Sequence, residues 1–187
     1  MFNVCVFCGT AAGADPQYAA AAQGVTRLLV QKGCRIIYGG GKLGLMGVVA
    51  QTALAAGGYV TGVAPKLLLE KEVMLRGLSE LHMVETMHER KVMMTRLADA
   101  FLILPGGYGT LDELFEVLTL RQLKAHDKPC GLLNVGGFFD TLVAYLDNAT
   151  ASGFLQPEYR RMLAMDADPQ ALLAKIGVPG TQLNPES

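Results

Sequence analysis

Two stretches of this chain combine residue types that suit chemistry on a phosphorylated small molecule. The first is Pro105-Gly106-Gly107-Tyr108-Gly109-Thr110-Leu111-Asp112-Glu113, where glycines lead into carboxylates. Glycines remove the side chains that would block a phosphate, and the unpaired amides and dipole of a helix start attract an anion. The carboxylates could then act on a reactive carbon held nearby. A structural reading stands beside this one: Thr110-x-x-Glu113 is a capping-box sequence, in which Glu113 would only tie off the helix. The second stretch is His88-Glu89-Arg90-Lys91. Two cations in the first turn of a helix oppose its dipole, an arrangement that makes sense if they meet an anion from a ligand or from Glu113. A solvated basic turn is the plain alternative.

The elements that must position these residues follow from the apolar pattern. Short apolar runs alternate with helical spacings, which predicts βαβ units and an α/β fold of Rossmann-like type, a doubly wound parallel sheet with helices on both faces. Strands are predicted near Val4–Phe7, Arg35–Tyr38, Tyr59–Val63, Leu81–Val84, Ala100–Leu104 and Gly131–Asn134. Helices are predicted near Pro16–Gln31, Leu45–Ala56, His88–Ala98, Leu111–Lys124 and Phe138–Ser152, with another after Pro169. Residues 1–180 are expected to form a single domain and residues 181–187 a flexible tail. Ligands of such sheets sit outside the carboxyl ends of the strands. The junctions that face that crevice are the loop at Cys8-Gly9, the loop Gly39 to Gly47 with Gly40, Gly41 and Gly44, the charged turn at Arg90, and the loop at Pro105.

Composition narrows the function. With 16 basic and 17 acidic residues the net charge is -1, without the basic excess of a nucleic-acid binder. The amino terminus lacks a basic n-region and no apolar run is long enough for a bilayer, so a cytoplasmic protein without membrane contact is expected. Cys5-x-x-Cys8 lies along a strand, which sends the two thiols to opposite faces, and no second pair completes a zinc site. No metal is expected. Gly39-x-Gly41-x-x-Gly44 formally matches the dinucleotide fingerprint, but it follows the second strand and no acidic residue answers it near the end of the third. Gly41-Lys42 is followed by Leu43, which also excludes a P-loop. Glu70-Lys71-Glu72 sits in a long connection and reads either as a lid or as an exposed helix face.

The sequence resembles the LOG family, the cytokinin riboside 5'-monophosphate phosphoribohydrolases, also labelled possible lysine decarboxylases. The resemblance runs from Val4 to about Ile176. It rests on PGGxGTxxE at Pro105–Glu113, MHxRK at Met87–Lys91 and YGGG…GLMG at Tyr38–Gly47. It implies a usually dimeric hydrolase that needs no cofactor and cleaves a nucleoside 5'-monophosphate to an adenine-type base and ribose 5-phosphate. On the family pattern Arg90 and Glu113 are the catalytic pair, and Glu72, Lys91, Gly107, Gly109, Thr110 and Thr119 contact substrate. Further contacts are expected from Tyr108, Leu111 and Asp112 on the same loop, and from Gly9, Gly40, Gly41 and Gly44. Leu120-Arg121 replaces the Trp-Ala of many members, which bears on the shape of the base pocket. A decarboxylase would need a Schiff-base lysine for pyridoxal phosphate, and no lysine is singled out for it. The alternative in a different class is a nucleotide-binding or carrier protein of this fold without turnover.

Overall fold

The computed structural model describes residues 1–67 and 74–180 of the 187-residue chain. The Glu70-Lys71-Glu72 stretch, the Glu72 contact and the expected tail at 181–187 lie outside the described residues.

Seven parallel strands form one sheet, β1 (Asn3–Phe7), β2 (Arg35–Tyr38), β3 (Val60–Pro65), β4 (Glu80–Val84), β5 (Ala100–Ile103), β6 (Cys130–Leu133) and β7 (Leu163–Asp166), in the order β4-β3-β2-β1-β5-β6-β7. The chain winds outward from β1 in one direction as far as β4, then crosses back and continues from β5 on the other side of β1. The strand order therefore reverses between β1 and β5, the position where open parallel sheets bind ligands. These two strands pair directly, with Val4 opposite Ala100 and Phe7 opposite Ile103.

The five inner strands, β1, β2, β3, β5 and β6, are buried because both faces are covered, which explains why they read as continuous apolar runs rather than alternating ones. On one face Val4, Val6, Ile36, Tyr38 and Leu102 pack with α1 (Gln17–Gln31), α2 (Gly44–Ala55) and a later helix at Pro169–Lys175. On the other, Cys5, Phe7, Ile37, Phe101 and Ile103 pack with α3 (Met87–Leu97), α4 (Tyr108–Gln122) and α5 (Asp140–Ala151). Cys5 and Cys8 fall in opposite clusters, as their spacing along a strand requires.

The sequence pattern missed two elements of the carboxy-terminal region, the four-residue helix α6 (Pro157–Arg160) and β7. β7 is four residues at the sheet edge with one buried position, and its identity as a strand comes from pairing with β6 rather than from its own pattern. The helix at Pro169–Lys175 is α7, and it begins after Asp168, whose carboxylate caps it by accepting from the Ala171 amide at 2.7 Å.

Candidate active site

Besides α1, three helices, α2, α3 and α4, start at the carboxyl ends of the strands around the β1/β5 switch point and line the cleft there, and each has amides to satisfy. Two of these starts are already occupied by protein. At α2 the Met46 amide donates to the Gly9 carbonyl at 3.3 Å, and the Leu45 amide donates to that of Ala11 at 3.4 Å. Gly44 makes this approach possible: its φ is +56°, and an added Cβ would run into the Thr10 backbone. At α3 the Thr86 hydroxyl accepts from the Glu89 amide at 3.1 Å, while the Glu89 carboxylate accepts from the Glu85 amide at 2.9 Å.

The third start, α4, is open. Its N-cap is Gly107, which offers no side-chain cap, and the first backbone bond inside the helix runs from the Leu111 amide to the Gly107 carbonyl at 3.1 Å. The amides of Tyr108, Gly109 and Thr110 thus precede the first helical donor, Leu111, and all three residues line the cleft. This corrects two expectations from the sequence. The helix begins at Tyr108 rather than Leu111, so Thr110 sits inside its first turn, and no Thr110–Glu113 capping box forms. A side-chain cap appears instead at Thr86-x-x-Glu89, which carries the same S/T-x-x-E pattern, although the Glu89 carboxylate accepts from the Glu85 amide, one residue before the N-cap.

The freed Glu113 side chain turns to α3. Its Oε1 accepts from Arg90 Nη1 at 2.9 Å, and Arg90 Nε donates to the Val63 carbonyl at the end of β3 at 3.1 Å. Both residues are buried, with Arg90 7% and Glu113 8% exposed. Burial pushes the Glu113 carboxyl above its ordinary value, and the charge and hydrogen bond of Arg90 oppose that rise without cancelling it. Glu113 Oε2 and Arg90 Nη2 make no protein hydrogen bond among the described residues, and both side chains line the cleft. A buried, partly compensated carboxylate in a cleft is the electrostatic signature of a reacting group.

The cleft has a volume of about 450 Å³. It is lined by Arg90, Glu113 and Cys8, by the α4 start, and by the apolar side chains of Leu43, Met46 and Met87. Of the residues expected at the site, Gly9, Gly41, Gly107, Tyr108, Gly109, Thr110, Arg90 and Glu113 line this space. Gly40 and Gly44 instead shape the loops behind it, Gly40 accepting from the Leu75 amide at 2.9 Å. Lys91, Leu111, Asp112 and Thr119 line a separate depression on the outer side of α3 and α4. There Lys91 Nζ pairs with Asp112 at 3.0 Å and Glu116 at 2.6 Å. The divergence of Arg90 and Lys91 follows from helix geometry, since adjacent residues point about 100° apart. Gly39 and Met46 were not singled out from the sequence as contacts, although Gly39 begins the loop that was. Among the described residues that line the cleft there is no lysine, and these residues do not fit a pyridoxal phosphate Schiff base.

A family model described as "Possible lysine decarboxylase" matches residues 46–176. The chain is 44% identical over 174 residues to cytokinin riboside 5'-monophosphate phosphoribohydrolase LOG of Oryza sativa subsp. japonica, covering 93% of this chain and 72% of that protein. It is 43% identical over 174 residues to the phosphoribohydrolase LOG5 of Arabidopsis thaliana, covering 93% and 76%. Among solved structures, the molybdenum cofactor binding protein of Rippkaea orientalis superposes with a TM-score of 0.70 at 19% identity over 94% of each chain. That likeness is one of fold.

Proposed function

The chain belongs to the LOG family of cytokinin riboside 5'-monophosphate phosphoribohydrolases, and we propose that its cleft hydrolyses the N-glycosidic bond of an adenine-type nucleoside 5'-monophosphate. The products are the free base and ribose 5-phosphate. The observation that carries this reading is the buried Arg90–Glu113 pair beside an uncapped helix start.

The 5'-phosphate docks on the amides of Tyr108, Gly109 and Thr110, where a helix dipole and free donors favour an anion. This sets the ribose over Glu113. Cleavage builds positive charge on the ribose ring and negative charge on the departing base. The Glu113 carboxylate opposes the first and accepts a proton from the attacking water, whose oxygen bonds to the anomeric carbon as the carbon–nitrogen pair leaves with the base. The base nitrogen then takes up a proton to give the neutral product. Arg90 holds Glu113 in place through Nη1 and offers Nη2 to the base or sugar. Leu43, Met46 and Met87 supply an apolar wall for a flat base and for an N6 substituent.

The same reading takes residues 1–180 as one catalytic domain that works as a homodimer. Val92, Tyr108, Phe115 and Leu123 leave apolar surface exposed on α3 and α4 and at the α4 end, which supports a subunit contact there. In that arrangement Lys91 and Thr119, which face outward in one copy, complete the site from its rim. A phosphorylated substrate and four free, buried cysteines suit a cytoplasmic enzyme.

The test is incubation with AMP and with its N6-isopentenyl analogue, followed by chromatography for free base and ribose 5-phosphate. Release from at least one nucleotide is expected. Tight nucleotide binding with no base released from either would favour the carrier reading.

A further inference from the structure

The Gly39 position is unusual in a way that its backbone does not explain. Its φ lies outside the left-handed region that would call for glycine, unlike neighbouring Gly40 at +77° and Gly44 at +56°. Space is the reason. An added Cβ on Gly39 would overlap Arg90 Nη2 outright and come within 2.7 Å of Met46 Cε and 3.0 Å of Arg90 Cζ. The thioether end can move aside freely, whereas the guanidinium can move only by giving up hydrogen bonds. It is fixed from two other sides, by Nε to the Val63 carbonyl at 3.1 Å and by Nη1 to Glu113 at 2.9 Å. Gly39 closes the third side, directly after β2, and it also lines the cleft.

We propose that Gly39 is a positioning residue whose missing side chain seats the Arg90 guanidinium against the carboxyl ends of β2 and β3, so that Nη1 reaches Glu113 while Nη2 stays open to substrate. Gly39 therefore acts through Arg90 and not through its own backbone or a contact with substrate. Its requirement for glycine is one of space alone, whereas Gly40 and Gly44 also have a positive φ. Any Cβ at this position pushes the guanidinium outward and breaks its alignment with Val63 and Glu113. The consequence for catalysis rests on the proposed hydrolase function; the packing consequence does not.

The test compares four proteins: the wild type, Gly39→Ala, Arg90→Ala and the double variant. Against AMP, Gly39→Ala is expected to lower kcat/KM by about 100-fold, the scale of a misplacement of about 1 Å at a reacting group. It also moves the acid limb of the pH profile upward, because Arg90 no longer holds the Glu113 carboxyl down. A purely structural glycine would lower activity without moving that limb. Thermal unfolding gives the arm that needs no activity: Gly39→Ala lowers the midpoint in the wild-type background and leaves it unchanged when Arg90 is already alanine. If Gly39→Ala alone does not fold, a double variant that folds with the midpoint of Arg90→Ala supports the proposal, and a double variant that fails to fold where Arg90→Ala itself folds overturns it. Equal destabilisation in both backgrounds, or wild-type kcat/KM with an unmoved acid limb, also overturns it. Absence of base release by the wild type would instead remove the hydrolase reading, while the unfolding comparison still decides the role of Gly39.

Discussion

Replacing Arg90 by alanine should destabilise the protein strongly, and by an amount that depends on pH. Two unit charges 2.9 Å apart attract by about 6 kcal/mol at an effective dielectric constant of about 20. Removing the guanidinium leaves the Glu113 carboxylate, 8% exposed, without a counter-charge. Relaxation and entry of water return part of the loss, so a measured destabilisation of about 3–5 kcal/mol is expected near pH 8. For a chain of this size that corresponds to a fall in midpoint of roughly 6–20 °C. The sign of the pH dependence follows from Glu113. Its folded value already lies above the unfolded one, so its favourable contribution is present at low pH and is lost as pH rises through the folded value. Without Arg90 the folded value rises further, and the loss extends to higher pH. The gap between variant and wild type must therefore widen as pH rises and narrow on acidification, where Glu113 becomes neutral in both. Urea unfolding across this range, with unchanged m-values, reads the effect. A destabilisation below about 1 kcal/mol, in the range of an exposed pair, with the same slope in pH for both proteins would refute the claim that this pair is buried and coupled.

Glu113→Gln preserves shape and should cut base release from AMP by about 10²–10⁴-fold while the protein still unfolds cooperatively. In the wild type the acid limb of kcat/KM should lie above the ordinary value of a glutamate carboxyl, since burial raises Glu113 and activity needs it ionised. Gly109→Val meets open space, so the fold should tolerate it, but the new side chain intrudes on the phosphate end of the cleft. KM for AMP should rise by at least about tenfold, the equivalent of about 1.4 kcal/mol, and an unchanged KM would remove the phosphate from the α4 start. All four cysteines are free and buried, and burial pushes the Cys8 thiol upward even though it lines the cleft. A thiol reagent at neutral pH should therefore find essentially none in the native protein and all of them after unfolding.

Much of this protein was decided locally. The alternation of apolar runs and helical spacings specified parallel α/β winding, because strands covered on both faces leave no polar positions to alternate. The glycine stretch after Ile103 and the cations near Met87 marked the crevice, since both follow strand ends. What no local pattern contained was which helix start remains open. Thr86 and Glu89 carry a capping pattern and use it; Thr110 and Glu113 carry the same pattern and do not, because Gly107 starts the helix earlier and Arg90 competes for the carboxylate. The α2 start is filled by carbonyls of the Gly9 loop, from a strand far away in sequence. Nor did adjacency separate Arg90 from Lys91. On α3 they diverge by about 100°, so Arg90 turns in over the carboxyl ends of β2 and β3 against Gly39 while Lys91 turns out to Asp112 and Glu116. Sequence determined the residue types and the strand ends they follow. Tertiary structure decided which amides and carboxylates were left unspent, because a hydrogen bond is occupied only when a partner distant in the chain is brought to it.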